Sequence, residues 1–181
     1  QRLKQDQYLI VFGGIVGNRF SGRRVLNDVC VLVAHPSYGS SCNMDVKYKF
    51  AWIQVRIDGL EFRPLPRLYH TSTILRYRTR TVMIVYGGVG EQLFNDFSCL
   101  DLSHLREKKS IKWIKTVVRG TVPEGRQHHN AVAVSDNQFY ILGGTRDSRH
   151  NDLYMITLQS IDYNQPDSGV EMSCEKVRTS G

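Results

Sequence analysis

The sequence predicts an all-β fold made of a repeated unit of short strands, and three observations carry that expectation. Three short runs of aliphatic, β-branched and aromatic residues each end in a glycine pair. An Asn-Asp dipeptide follows each pair and opens another strand-like run. Two further alternating segments each hold a single tryptophan. The features recur in one order, so the chain is read as a repeat before it is searched for chemistry.

The first element is Tyr8-Leu9-Ile10-Val11-Phe12-Gly13-Gly14. Its counterparts are Val82-Met83-Ile84-Val85-Tyr86-Gly87-Gly88 and Phe139-Tyr140-Ile141-Leu142-Gly143-Gly144. Runs this short and this rich in β-branched and aromatic side chains favour buried strands. Glycine ends them because it tolerates positive φ. The second element begins at Asn27-Asp28, Asn95-Asp96 and Asn151-Asp152, where short polar side chains can bond nearby amides, and continues into Val29–Val33, Phe97–Leu102 and Leu153–Leu158. The first glycine and the asparagine are eight residues apart in the later copies and fourteen in the first. The first connection, Ile15–Leu26, is therefore read as an enlarged loop. The third element carries Trp52 or Trp113 in a strand-type alternation. A Pro-containing loop then leads to Arg67-Leu68-Tyr69-His70 and Arg126-Gln127-His128-His129, and to the next opening strand. The tail from Gly169 to Glu175 alternates apolar and polar residues, which offers the last copy a closing strand.

The spacing is 59 residues between Arg67 and Arg126, 56 between Gly88 and Gly144, and 61 between the tryptophans. With these features in this order, residues 8–158 resemble the kelch repeat, whose period is about 50 residues and whose unit is one blade of a β-propeller. The resemblance implies four-stranded antiparallel blades packed around a channel, at about 8–55, 67–117 and 126–158. Residues 1–158 would form the propeller segment, and 159–181 a polar loop with a closing strand. It also implies structural roles for Gly13, Gly14, Gly87, Gly88, Gly143, Gly144, Trp52, Trp113, Asp28, Asp96 and Asp152, with the Trp of the fourth strand near the glycine pair. The first copy lacks an opening strand and the third lacks a recognisable Trp. About three blades make an incomplete ring, since propellers close with four to eight. The expectation is that further blades lie elsewhere in a longer protein or on another chain.

With 41% hydrophobic and 23% charged residues, the composition is that of a chain with a real core. The longest apolar stretch, Tyr8–Gly17, falls far short of the roughly 20 residues needed to span a bilayer, so no membrane role is expected. Cys30, Cys42, Cys99 and Cys174 form no C-x-x-C pair, and free thiols fit a reducing compartment, the cytoplasm or the nucleus. Gly13–Gly17 lacks the spacing of a dinucleotide-binding turn and a following helix. His128 and His129 are adjacent, so on a strand they face opposite ways. His70 and His129 hold matching repeat positions. No catalytic residue, cofactor site or metal site is therefore expected in this segment.

The net charge of +7 is distributed as +4 over residues 1–66 (nine basic, five acidic), +6 over 67–126 (eleven, five) and −3 over 127–181 (four, seven). A basic surface points to an acidic partner. Nucleic acid is disfavoured, because the aromatics Phe12, Tyr86 and Tyr140 fall at core positions rather than on a stacking surface. The loops joining second to third strands, and fourth strands to the next blade, emerge on one rim. They are Ile15–Leu26, Val89–Leu93, Thr145–His150, Arg56–Pro66 and Val118–Gly125. They carry Arg19, Arg23, Arg24, Arg146, Arg149 and His150, whose guanidinium forks suit carboxylate or phosphate. The expected function is a non-catalytic protein-interaction module gripping an acidic or phosphorylated segment of a partner protein. The alternative is the regulatory or targeting region of a larger enzyme. The resemblance suggests a Ser/Thr protein phosphatase with kelch-like repeats, whose catalytic domain would lie outside this segment.

Overall fold

A computed structural model describes residues 5–18, 22–37, 47–162 and 169–178. The strands are β1 (Gln7–Asn18), β2 (Gly22–Ser37), β3 (Lys47–Ile53), β4 (Arg56–Asp58), β5 (Thr71–Tyr77), β6 (Arg80–Tyr86), β7 (Phe97–Asp101), β8 (Ser110–Ile114), β9 (Thr116–Gly120), β10 (Asn130–Ala133), β11 (Gln138–Leu142), β12 (Leu153–Ile161) and β13 (Val170–Lys176). Among the described residues, a 3-10 turn, Leu60–Phe62, and the one-turn helix α1, Leu105–Lys108, are the helical pieces. The fold is all-β, in three sheets ordered β1-β2-β3, β4-β8-β7-β6-β5 and β9-β13-β12-β11-β10.

In the second and third sheets, four consecutive strands pair antiparallel. A fifth strand, drawn from the segment ahead of the copy, adds parallel to the outer edge: β4 on β8 and β9 on β13. Two of the connections read as loops, Arg56–Pro66 and Val118–Gly125, thus carry strand. The first connection departs from its reading as well. β1 and β2 continue past the glycine pair as an antiparallel ribbon, with Ile15 opposite Val25, Val16 opposite Arg24 and Gly17 opposite Arg23. Two β-branched positions on one arm and Val25 on the other supply the strand propensity that counting the segment as an insertion concealed.

The sheets stack face to face through two apolar clusters. β6 serves both. Val82, Ile84 and Tyr86 pack towards the third sheet, with Leu75, Phe97, Phe139, Ile141 and Ile156. Met83 and Val85 pack towards the first, with Phe12, Val31, Val33, Leu100 and Trp113. A strand buried on both faces loses the polar alternation of a half-exposed one, which is why this run reads as continuously apolar.

The same register explains the tryptophans. Trp113 lies opposite Leu100, which lies opposite Met83. This row is buried beneath the first sheet, and Trp113 meets Phe12 edge-on at 5.3 Å. Trp52 lies opposite Leu32, which lies opposite Leu9, but no described sheet covers that row and Trp52 is 64% exposed. In the third sheet the row is Phe139, Ile156 and Cys174, so a buried cysteine holds the position where no Trp could be recognised. Tyr140, expected in the core, is only half-buried, because it faces away from the second sheet.

Candidate functional site

The junctions between sheets are built from the Arg-x-x-His turns. The Arg67 amide donates to Leu26 O and its carbonyl accepts from Gly14 N, both in the first sheet. Its guanidinium turns into the second sheet. There Nη1 and Nη2 donate to the two Asp96 carboxylate oxygens at 2.8 and 2.9 Å, and Nη1 also donates to Gly87 O. Phe94 covers it, 4.2 Å from ring centroid to Cζ. Arg126 repeats the arrangement one sheet on. Its amide donates to Phe94 O, its carbonyl accepts from Gly88 N, and its guanidinium grips Asp152 in the same forked way while donating to Gly143 O. Bidentate pairing of this kind gives orientation as well as energy. Both arginine side chains are buried, so neither charge is presented to a partner.

The histidines of the turns complete the joint. A Cβ built on Gly88 would lie 2.7 Å from Leu68 O and 2.8 Å from the Cβ of His70; one built on Gly144 meets Gln127 O at 2.9 Å and the Cβ of His129 at 2.8 Å. A side chain there has no room. His129 Nε2 and Thr71 Oγ1 are hydrogen-bonded at 2.8 Å. Burial, the Arg67 charge beside His70 and the Arg126 charge beside His129 bring both imidazoles down to a pKa of about 4, offset in part by backbone hydrogen bonds to Phe12 and Tyr86. The unfolded chain, with histidine near 6.5, therefore binds more protons than the native one between about pH 6.5 and 4. Stability falls on acidification through that window and the fall levels off below it. The expected result is a melting temperature that drops between pH 6.5 and 4.5, and a visibly shallower drop for His129→Gln in the same titration.

Between the buried residues of each turn, one side chain points out. Tyr69 and His128 hold left-handed backbone, with φ of 57° and 56°, and both are exposed. Their rings stack 4.1 Å apart, and His128 N donates to Tyr69 O. A non-glycine residue at such φ is uncommon, and here two hold it at equivalent positions, each two residues after a clamped arginine. Sequence reasoning noticed the Arg-x-x-His recurrence but assigned nothing to the third position or to the Arg–Asp pairing. The signal was there: an arginine and an aspartate recur together, in the same order, in both full copies.

The expected rim residues fall into two groups. Arg23 and Arg24 are exposed on the ribbon arm of β2. Arg146, Arg149 and His150 share the turn of the third sheet, where Arg149 bridges to Thr145 and His150 N donates to Gly144 O. Arg146 lies 3.7 Å from Glu124 and 3.5 Å from Asp147, exposed pairs that tie it down weakly. No hydrogen bond or ion pair joins the two groups among the described residues. Arg19 lies outside the described residues. Among those described, no cluster of three or more His, Cys, Asp or Glu side chains is placed to hold a metal ion.

Comparison with known proteins gives the architecture its place. Acyl-CoA-binding domain-containing protein 4 of Arabidopsis thaliana is 24% identical over 153 residues, covering 84% of this chain and 19% of that protein. The flagellar outer arm dynein alpha chain of Chlamydomonas reinhardtii is 32% identical over 99 residues, 51% of this chain and 2% of its own length. Human Host cell factor 2 is 26% identical over 120 residues, 58% and 14% of the two chains. The chain thus spans no more than about a fifth of these relatives. A family model described as the KLHDC2/KLHL20/DRC7 Kelch-repeats domain matches residues 3–178. With a glycine pair in each of the three sheets, an Arg–Asp clamp in the second and third, and a family match over nearly the whole chain, this chain belongs to the kelch-repeat family.

Proposed function

We propose that this chain is a non-catalytic protein-binding module whose loop rim takes an acidic or phosphorylated segment of a partner protein. Kelch-repeat domains are typically protein-interaction modules, which supports the coarse reading. The observation that carries the finer one is the paired Tyr69–His128 platform. Two exposed rings are held in uncommon backbone on a rigid clamp, and strain of this kind gathers at recognition sites. Arg23 and Arg24 on the ribbon arm of β2, with Arg146 and Arg149 in the matching turn of the third sheet, supply the positive charge. The test is binding to an array of acidic and phosphoserine peptides at low and high salt. Substituting the four arginines by alanine is expected to weaken capture several-fold, more at low salt than at high, with the melting temperature almost unchanged. Capture that survives this change but is lost on substitution in the Arg106–Lys112 segment would place the binding surface on the opposite rim.

A second reading is supported by the small fraction of each relative that the chain matches. On that reading the propeller segment addresses a larger protein to its partner, and a Ser/Thr protein phosphatase domain is one form the remainder would take. Reading the full-length gene product for a metallophosphatase domain tests it. The buried thiols of Cys99 and Cys174 suit a reducing compartment, so the proposed setting is cytoplasmic or nuclear, to be tested by imaging of the tagged protein.

A further inference from the structure

The second sheet carries a charged row that the repeat does not require. Asp58 lies opposite Lys112, and Lys112 opposite Asp101, across β4, β8 and β7. The matching row is Arg119, Ser173 and Thr157 in the third sheet, and Ala51 with Val33 in the first. One of these charges is costly to place, because the Asp101 side chain is only 7% exposed. A carboxylate taken out of water needs donors in its stead, and both acids have them. Ser103 N donates to Asp101 Oδ1 at 2.8 Å, and Arg80 Nη1 to Oδ2 at 3.5 Å. Arg56 Nε and Ser110 Oγ donate to Asp58 Oδ2 at 3.2 and 3.4 Å.

The row opens onto a cleft of about 270 Å³ beside α1. It stands at the end of the sheet where β6 begins, away from the glycine pair that follows the end of β6. The lining sets Arg56, Arg80, Lys108 and Lys112 against the two carboxylates, a surplus of two positive charges. The frame that carries them is fixed: Arg56 N donates to Lys109 O at 2.9 Å, tying β4 to the end of α1, and α1 is seated by the buried Leu105. Two acids cannot neutralise four cations however these are paired, so the remainder attracts an anion from outside.

From the charged row, the cleft and its surplus we infer that this is a binding site for a phosphate monoester, free or carried on a protein side chain. Such a group holds about −1.5 to −2 charges at pH 7, which matches the surplus. Guanidinium forks and lysine point charges are the side chains that grip phosphate. The cleft is small beside the roughly 300–1,000 Å³ of sites for drug-sized ligands. It therefore takes the phosphate and the few atoms next to it, not an extended segment. The site lies apart from the rim arginines and from the joints between sheets.

The probes are glycerol 2-phosphate and a short phosphoserine peptide, each titrated into this chain by calorimetry and by NMR of its amides. One saturable site is expected, with a Kd of about 1 mM or tighter for the small ester, and with shifts at Asp58, Lys108 and Lys112. Lys108→Ala and Arg56→Ala alter exposed side chains. Each should weaken binding about fivefold or more, with an unchanged circular dichroism spectrum. Arg106→Ala and Lys109→Ala, equally exposed on the same turn but outside the cleft, should leave it nearly unchanged. Tighter binding of the ester assigns the site to a free phosphorylated compound, and tighter binding of the peptide to a modified protein side chain. No saturation by either probe, or equal losses from the cleft and control variants, would overturn the site. Alanine at the four rim arginines should not change binding of the small ester, so this test and that of the rim fail separately.

Discussion

Arg126→Ala is expected to destabilise the protein by roughly 3–5 kcal/mol, the usual cost of breaking a buried pair by removing one partner. The substitution removes a buried guanidinium that donates to both oxygens of Asp152 and to Gly143 O. It leaves a cavity and a carboxylate whose side chain is only 13% exposed. The clamp of the second sheet grades the effect. Asp96 is 45% exposed, so Asp96→Ala should cost clearly less than Asp152→Ala. Acid acts on the same contact. Hydrogen bonds from Arg126, opposed by burial, hold the Asp152 carboxyl below its ordinary pKa. Its contribution is therefore complete above the unfolded carboxylate value, near 4, and is lost as the pH falls through the lowered native one. Urea melts of the three variants at neutral pH, with the wild type followed to pH 3, check both statements. Equal losses at Asp96 and Asp152 would show that burial does not set the cost.

Gly88→Val should cost about 3 kcal/mol or more, from two separable sources. Valine at φ of +89° is strained by about 1–3 kcal/mol wherever it stands. At this site its Cβ also overlaps Leu68 O and the Cβ of His70, atoms fixed by the turn that carries Arg67. Gly14→Val separates the two, because its φ is +97° while its Cβ meets nothing within 4 Å. The expected order is wild type, then Gly14→Val, then Gly88→Val, read from melting midpoints. A Gly14 variant as damaged as the Gly88 variant would make φ the whole effect.

The repeat, its order and the all-β class were determined by the sequence alone, because glycine pairs, Asn-Asp dipeptides and apolar runs are local signals that need no partner. The run Val82–Tyr86 announces a strand covered on both faces, and that is where it lies. Arg146, Arg149 and His150 were legible as members of one turn for the same reason. What joins the copies was decided only in three dimensions. Arg67 and Asp96 are 29 residues apart, and nothing local says that one guanidinium bonds the next strand's entry while its own backbone bonds the preceding sheet. Equal local sequence also meets unequal neighbours: Trp113 and Trp52 share a register, but one lies beneath Phe12 and the other is bare. The described parts of the segment counted as loop, Ile15–Asn18 and Gly22–Leu26, form a ribbon because Ile15 and Val25, and Val16 and Arg24, pair across it. Burial and pairing are properties of what packs alongside, and no window of residues contains its own neighbours.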